Sequence, residues 1–199
     1  EDPPVGADPL SLDNCEFDNK TSCFATSYSN CRKVQFIKFG ESNLFRYILS
    51  NYKPHIYLSE WTCGRFDCGS MYRLCCGYIG IEPNDVTIKK PTAGQVVKQW
   101  EGSKWKKIEM LITEYPEGID GIIFEHEGRD TQFWAGHYGS KMAGGVAKLL
   151  FDSIDPLPLN SLGKRQPKRF TNTQYETNGE TLDNHFLDVI EIEPYRRVC

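Results

Sequence analysis

Short runs of alternating apolar and polar residues, separated by Gly, Pro, Asn and Asp, dominate the middle of the sequence. Successive side chains of a β-strand point to opposite faces, so a period of two residues is typical of strands with one buried face. Many short strands of this kind predict an all-β fold, an antiparallel β-sandwich or barrel. The predicted strands lie at residues 34–39, 55–58, 71–76, 108–113, 122–124 and 146–151.

A single segment, from Ser42 to Tyr52, has helical spacing instead. Leu44, Tyr47 and Ile48 share one face of such a helix, and Ser42 is placed to cap its N-terminus. One short helix is therefore expected beside the strands.

The sequence divides into three segments. Residues 1–22 are rich in Asp, Pro, Asn and Ser and predict an irregular lead-in, and residues 23–153 carry the β-sandwich pattern. Residues 154–199 have spaced prolines and separate basic and acidic blocks, which predict an extended polar and charged tail. Within the middle segment the pair Gly144–Gly145 is interpreted as a turn.

Charge and hydropathy exclude two classes of partner. The 199 residues have a formal net charge of -4, whereas a nucleic-acid binder needs a basic face. No run approaches the roughly 20 apolar residues that span a bilayer. We therefore expect neither a nucleic-acid partner nor a membrane span.

The chain has eight cysteines, for which several chemistries are possible. A zinc site is disfavoured, because the adjacent pair Cys75 and Cys76 points to opposite faces of a strand and cannot easily hold one ion. No motif for a catalytic nucleophile, a nucleotide or a metalloprotease is present. The sequence predicts a non-catalytic binding module without a metal or a cofactor.

The redox state of the cysteines is open from the sequence. Their even number and the glycosylation sequon Asn19-Lys20-Thr21 fit a secreted, disulfide-stapled lectin-like or structural protein. Their low share of the chain fits buried free thiols in a cytoplasmic domain equally well.

The stretch from Gly128 to Gly139 concentrates the aromatic residues Phe133, Trp134 and Tyr138 between glycines. Exposed rings beside hydrogen-bonding groups suit a sugar, whose C–H face packs on a ring while its hydroxyls meet polar partners. The alternative is a buried aromatic cluster that closes the end of the sandwich.

Four segments, in order, carry a known pattern. They read CFATSYSNCRK (23–33), YLSEWTCGRFDCG (57–69), YPEGI (115–119) and FEHEGRDTQFWAGHYG (124–139). Together they resemble the F-box-associated (FBA) domain of the sugar-recognising F-box proteins, and the last segment is the most specific.

This resemblance implies a β-sandwich of jelly-roll, galactose-binding-like topology. It also implies that the module binds the chitobiose core of N-linked high-mannose glycoproteins. The family delivers misfolded glycoproteins to an SCF ubiquitin ligase for ubiquitin-dependent degradation (ERAD), in the cytoplasm. It contacts the Skp1/cullin complex through an F-box, which this chain does not contain.

The resemblance also assigns glycan-binding residues. Phe133 and Trp134 match loop aromatics that contact chitobiose, Tyr28 matches an aromatic of the facing loop, and Asp67 matches an acidic hydrogen-bonding position. Ala135 stands where strong glycan binders often have Lys. Losing that donor costs about 1–3 kcal/mol if a partner is left unpaired. An FBA-type protein-interaction module that has lost glycan binding is therefore an alternative.

Overall fold

The structure is a computed structural model that describes residues 1–39, 43–80, 90–151 and 196–198. It contains a 3-10 helix, Cys15–Phe17, and one α-helix, α1, Asn43–Asn51. The strands are β1 (Phe24–Ala25), β2 (Cys31–Lys38), β3 (His55–Cys63), β4 (Ser70–Ile79), β5 (Thr92–Val97), β6 (Lys106–Ile112), β7 (Gly121–Asp130), β8 (Lys141–Leu150) and β9 (Arg196–Val198).

Two antiparallel sheets form the fold. One has the strand order β1-β8-β3-β6 and the other has the order β5-β4-β7-β2-β9. Between β2 and β8 the chain passes repeatedly from one sheet to the other, as in a jelly roll. The predicted antiparallel β-sandwich with one short helix is confirmed.

The core lies between the sheets because alternate side chains of facing strands point inward. Ile56 and Leu58 of β3 meet Ile122 and Phe124 of β7, and all four side chains are at most 1% exposed. Full burial of such a side chain contributes about 1.5–3 kcal/mol. The rows of inward residues thus hold the two sheets together.

A polar layer lies in the same interior. Lys33 Nζ is 2.9 Å from Glu60 Oε1, while His126 Nδ1 is 3.3 Å from Glu60 Oε2 and 2.9 Å from the Tyr72 hydroxyl. Burial raises the pKa of Glu60 and lowers that of His126 well below its ordinary value. The imidazole is therefore neutral, and Lys33 provides the charge that faces Glu60.

The helix forms where the sequence predicts it, and its apolar residues differ in burial. Leu49 is buried and Phe45 packs against the core, whereas Leu44 and Tyr47 are exposed. Residues 45 and 49 lie one turn apart, on the part of the apolar surface next to the face that Leu44, Tyr47 and Ile48 share. Ser42 lies outside the described residues.

No helix in the described part of the chain is long and apolar enough to cross a membrane.

The pair Gly144–Gly145 is not a turn but a β-bulge within β8, which corrects the prediction. Val146 pairs with Ser59 and Ala143 pairs with Trp61, so β8 has one more residue than β3 over this span. A Cβ on Gly145 would lie 2.6 Å from Glu60 Oε2. The missing side chain therefore leaves space for the buried carboxylate.

Residues before β1 pack on the outer face of the four-stranded sheet. Leu10 and Phe17 are buried there, and the Phe17 ring lies 5.6 Å from the Trp61 ring.

Residues 152–195, most of the expected tail, lie outside the described residues, and Arg196–Val198 pairs with β2. The boundaries at residues 22 and 153 stay a prediction.

Removing one core ring tests the packing. We expect Phe124→Ala to lower the free energy of unfolding by about 3–5 kcal/mol, because its fully buried ring fills the space between the sheets. Phe36→Ala is the control, since this ring on β2 is 69% exposed and its loss should change stability by less than about 0.5 kcal/mol. Urea unfolding gives both values, and equal losses would contradict this account of the core.

Candidate functional site

Four loops lie in a row at one end of the sandwich. Because the sheets run β1-β8-β3-β6 and, opposite them, β2-β7-β4-β5, each loop joins a facing pair of strands. In order across this end, the loops are residues 26–30, 131–140, 64–69 and 98–105. We call them loops 1, 2, 3 and 4.

The residues of loops 1 and 2 that the sequence singles out are exposed. Trp134 is 39% exposed, Phe133 70% and Tyr28 47%, and Ala135 is exposed beside them. These three rings therefore do not form the buried aromatic cluster that the sequence allowed as an alternative.

Loops 1 and 2 are joined by short contacts. The Ser27 hydroxyl donates to the Gly136 carbonyl at 2.8 Å, and the Gly139 N–H donates to the Thr26 carbonyl at 3.0 Å. A Cβ on Gly139 would lie 2.2 Å from Thr26 Oγ1, so glycine is needed for this approach. The two loops therefore present Tyr28 and Trp134 from one connected surface.

A buried carboxylate shapes loop 2. Asp130, only 1% exposed at the end of β7, accepts hydrogen bonds from the backbone N–H groups of Gln132 at 2.9 Å and Phe133 at 2.6 Å. Phe133 has φ +58°, a conformation that bulky residues rarely adopt. The carboxylate thus holds the turn that places Phe133 in solvent. Sequence reasoning missed this role, although an Asp that ends a strand is typical of such a turn.

Gln132 joins loop 2 to loop 3. Its Oε1 accepts from the Gly69 N–H at 2.9 Å and from the Cys68 thiol at 2.9 Å, and the Thr131 N–H donates to the Gly69 carbonyl at 2.9 Å. Burial raises the pKa of Cys68, which keeps its thiol protonated as a donor.

Arg65 connects Asp67 with the aromatic loop. Its Nε and Nη2 donate to the two carboxylate oxygens of Asp67 at 2.9 and 3.2 Å. Its guanidinium carbon lies 4.5 Å from the ring centre of Tyr138, which stands perpendicular to Trp134 at 5.6 Å. The Arg65 hydrogen bonds hold the pKa of Asp67 below its ordinary value. Asp67 is therefore ionised, and each of its oxygens keeps a second acceptor direction.

This end of the sandwich offers stacking and hydrogen bonding. The exposed indole of Trp134 is linked through Tyr138 and Arg65 to the ionised carboxylate of Asp67, and this combination suits a ligand with apolar faces and a polar rim. A separate open groove of about 610 Å³ lies on the outer face of the five-stranded sheet. Its lining combines apolar side chains such as Met71 and Val96 with polar ones such as Asn30, Gln95 and Arg129.

The described cysteines carry neither a disulfide nor a metal cluster. Within residues 1–39, 43–80 and 90–151, all of these cysteines are free and no group of three metal-ligating side chains occurs. Burial raises the pKa of Cys76 to about 12. The sequon residue Asn19 is exposed.

Comparison with known proteins agrees with the four sequence segments. The family described as "F-box associated region" matches residues 8–149. The chain belongs to this family. The F-box associated match includes all four loops, as well as the residues that pack on the outer sheet face before β1.

Several relatives of this F-box associated domain are F-box only proteins. F-box only protein 6 of Bos taurus is 34% identical over 127 residues, covering 60% of this chain and 44% of the relative. F-box only protein 27 of Mus musculus is 35% identical over 121 residues, covering 61% and 43%. F-box only protein 44 of Homo sapiens is 30% identical over 119 residues, covering 60% and 46%. The chain thus spans less than half the length of these relatives.

The role of Asp130 is testable without a ligand. We expect Asp130→Ala to speed amide hydrogen exchange at Gln132 and Phe133, because both N–H groups lose their acceptor, and to lower the free energy of unfolding by about 1–3 kcal/mol. Asp130→Asn is the control, since it keeps a side-chain carbonyl and should retain most of the protection. Unchanged exchange in Asp130→Ala would show that the carboxylate does not hold the turn.

Proposed function

We propose that this F-box associated domain binds N-linked high-mannose glycans at their chitobiose core. The observation that carries the proposal is the solvent-facing indole of Trp134, held against Tyr138 and flanked by exposed Phe133 and Tyr28. Large aromatic rings are usually buried, and three exposed ones on two joined loops have apolar surface to offer a ligand.

The chemistry of a sugar fits these groups. Trp134 stacks on the C–H face of an N-acetylglucosamine ring or on its acetamido methyl, while Tyr28 and Phe133 form the sides of the site. Asp67 accepts a hydrogen bond from a hydroxyl or an amide N–H, and a charged acceptor makes that bond stronger than a neutral pair. Because Arg65 already fixes the carboxylate, little side-chain entropy is lost on binding.

We further propose that the domain is the substrate-recognition part of an adaptor in an SCF ubiquitin ligase. Family membership and the relatives named F-box only proteins support this role. The adaptor contacts the Skp1/cullin complex through an F-box outside this chain and presents misfolded glycoproteins for ubiquitin-dependent degradation (ERAD) in the cytoplasm. The domain itself contributes binding, not catalysis.

Calorimetric titration with chitobiose tests the proposal. The parent domain should bind, and Trp134→Ala should weaken binding at least about tenfold, because a central Trp anchor is typically worth 2 kcal/mol or more. Phe36→Ala is the control, a ring on the outer face of β2 that is more exposed than Trp134, and it should bind like the parent. Absence of binding by the parent, or equal binding by Trp134→Ala, would refute the glycan site.

Ala135 favours a second candidate, a protein-interaction module of the same family. Its methyl group donates no hydrogen bond at a position beside Trp134 that is exposed to a ligand. If the domain binds glycans, Ala135→Lys should strengthen chitobiose binding about tenfold or more, since a hydrogen bond from a charged donor contributes about 1.5–3 kcal/mol. A parent that does not bind, together with a Lys variant that does, would favour the protein-interaction module.

A further inference from the structure

A second pair of exposed aromatic rings lies on the neighbouring loops. Phe66 of loop 3 is 50% exposed and Trp100 of loop 4 is 70% exposed. Their ring centres are 6.4 Å apart, and the ring planes are inclined by 49°. The family resemblance does not assign either residue a role, and the strand core does not use them.

The backbone of Trp100 is held in a costly conformation. Its φ is +72°, in the left-handed region that favours glycine and that a bulky residue rarely adopts. The conformation turns the indole into solvent, although its burial would be favourable. Strain of this kind is found at binding sites, where the exposed group has a partner.

Loop 4 is fixed rigidly to loop 3. The Gln99 side-chain amide donates to the Asp67 carbonyl at 2.9 Å, and the Gly64 N–H donates to the Gly102 carbonyl at 2.7 Å. A Cβ on Gly102 would lie 2.5 Å from the Arg65 carbonyl oxygen, so the backbones are in close contact. Trp100 is therefore held beside the residues that carry Asp67.

The two aromatic pairs are linked through the residues of loops 2 and 3. Trp134 contacts Tyr138, Tyr138 contacts Arg65, and Arg65 precedes Phe66 in loop 3. A ligand seated on Trp134 and Asp67 that extends along the row of loops reaches Phe66 and Trp100 next. A long ligand made of several rings could contact both the Trp134–Tyr138 pair and the Phe66–Trp100 pair.

We propose that Phe66 and Trp100 form a second carbohydrate subsite, which takes sugar rings of the same glycan beyond the chitobiose. This inference rests on the proposed glycan-binding function. The exposed charged side chains of Lys98 and Glu101 in the same loop provide a donor and an acceptor for sugar hydroxyls.

The test compares two ligands, chitobiose and a free high-mannose glycan that contains it. We expect the parent to bind the longer glycan at least about tenfold more tightly, equivalent to about 1.4 kcal/mol. Trp100→Gly and Phe66→Ala should reduce that affinity to the chitobiose level and leave the dissociation constant for chitobiose unchanged. Trp134→Ala should weaken both ligands.

Trp100→Gly is chosen because glycine accepts the positive φ and removes the ring without straining the loop. Phe36→Ala again serves as the control for losing an exposed ring, and circular dichroism checks that each variant is folded. A folded Trp100→Gly variant with parental affinity for the longer glycan would overturn the subsite. Equal weakening of both ligands would overturn it too, because the ring would then act on the chitobiose site.

Two further outcomes separate the inference from the function on which it rests. If the parent binds chitobiose but gains nothing from the longer glycan, the subsite is wrong and the proposed function stands. If the parent binds neither ligand, both are wrong. If Trp100→Gly weakens binding of a denatured high-mannose glycoprotein but not of its released glycan, Trp100 contacts polypeptide and the carbohydrate subsite is refuted.

Discussion

Strand β7 is the constraint on which both the core and the site depend. It pairs with β2 on one side and β4 on the other, so its position is fixed by two complete ladders. Its inward side chains begin with Ile122 and Phe124 in the apolar core, continue with His126 in the polar layer, and end with Asp130 under loop 2. The strand that contributes to the core therefore also positions loop 2, because Asp130 at its end holds the turn that carries Phe133.

The fold was largely accessible from the sequence, because strand periodicity is a local property. Two local patterns were ambiguous. A pair of glycines permits both a turn and a bulge, and only the pairing of Ser59 and Trp61 with β8 separates them. Similarly, the helix is apolar on more than one side, so the face toward Leu49 is decided by the sheet that covers it.

The loop that carries Phe133 and Trp134 could be predicted, whereas the contacts that support it could not. Glycines around Phe133 and Trp134 mark a loop, which the sequence shows directly. The supporting contacts link distant residues: Gln132 with Gly69, and Gln99 with the Asp67 carbonyl. Such contacts follow from the strand order, which spacing alone does not reveal. Trp100 escaped attention because its positive φ has no sequence signature in a tryptophan.

The mutual bracing of the loops has a consequence for protein engineering. Ser27 supports the backbone of loop 2, Gln132 supports loop 3, and Gln99 ties loop 4 to loop 3, so no loop keeps its shape alone. Transplanting a single loop onto another β-sandwich would carry its side chains but lose the geometry that orients them. A useful graft has to move all four loops as one unit together with Asp130 at the end of β7, whereas strand residues that do not contact the loops can be redesigned so long as the strand ends keep the same spacing.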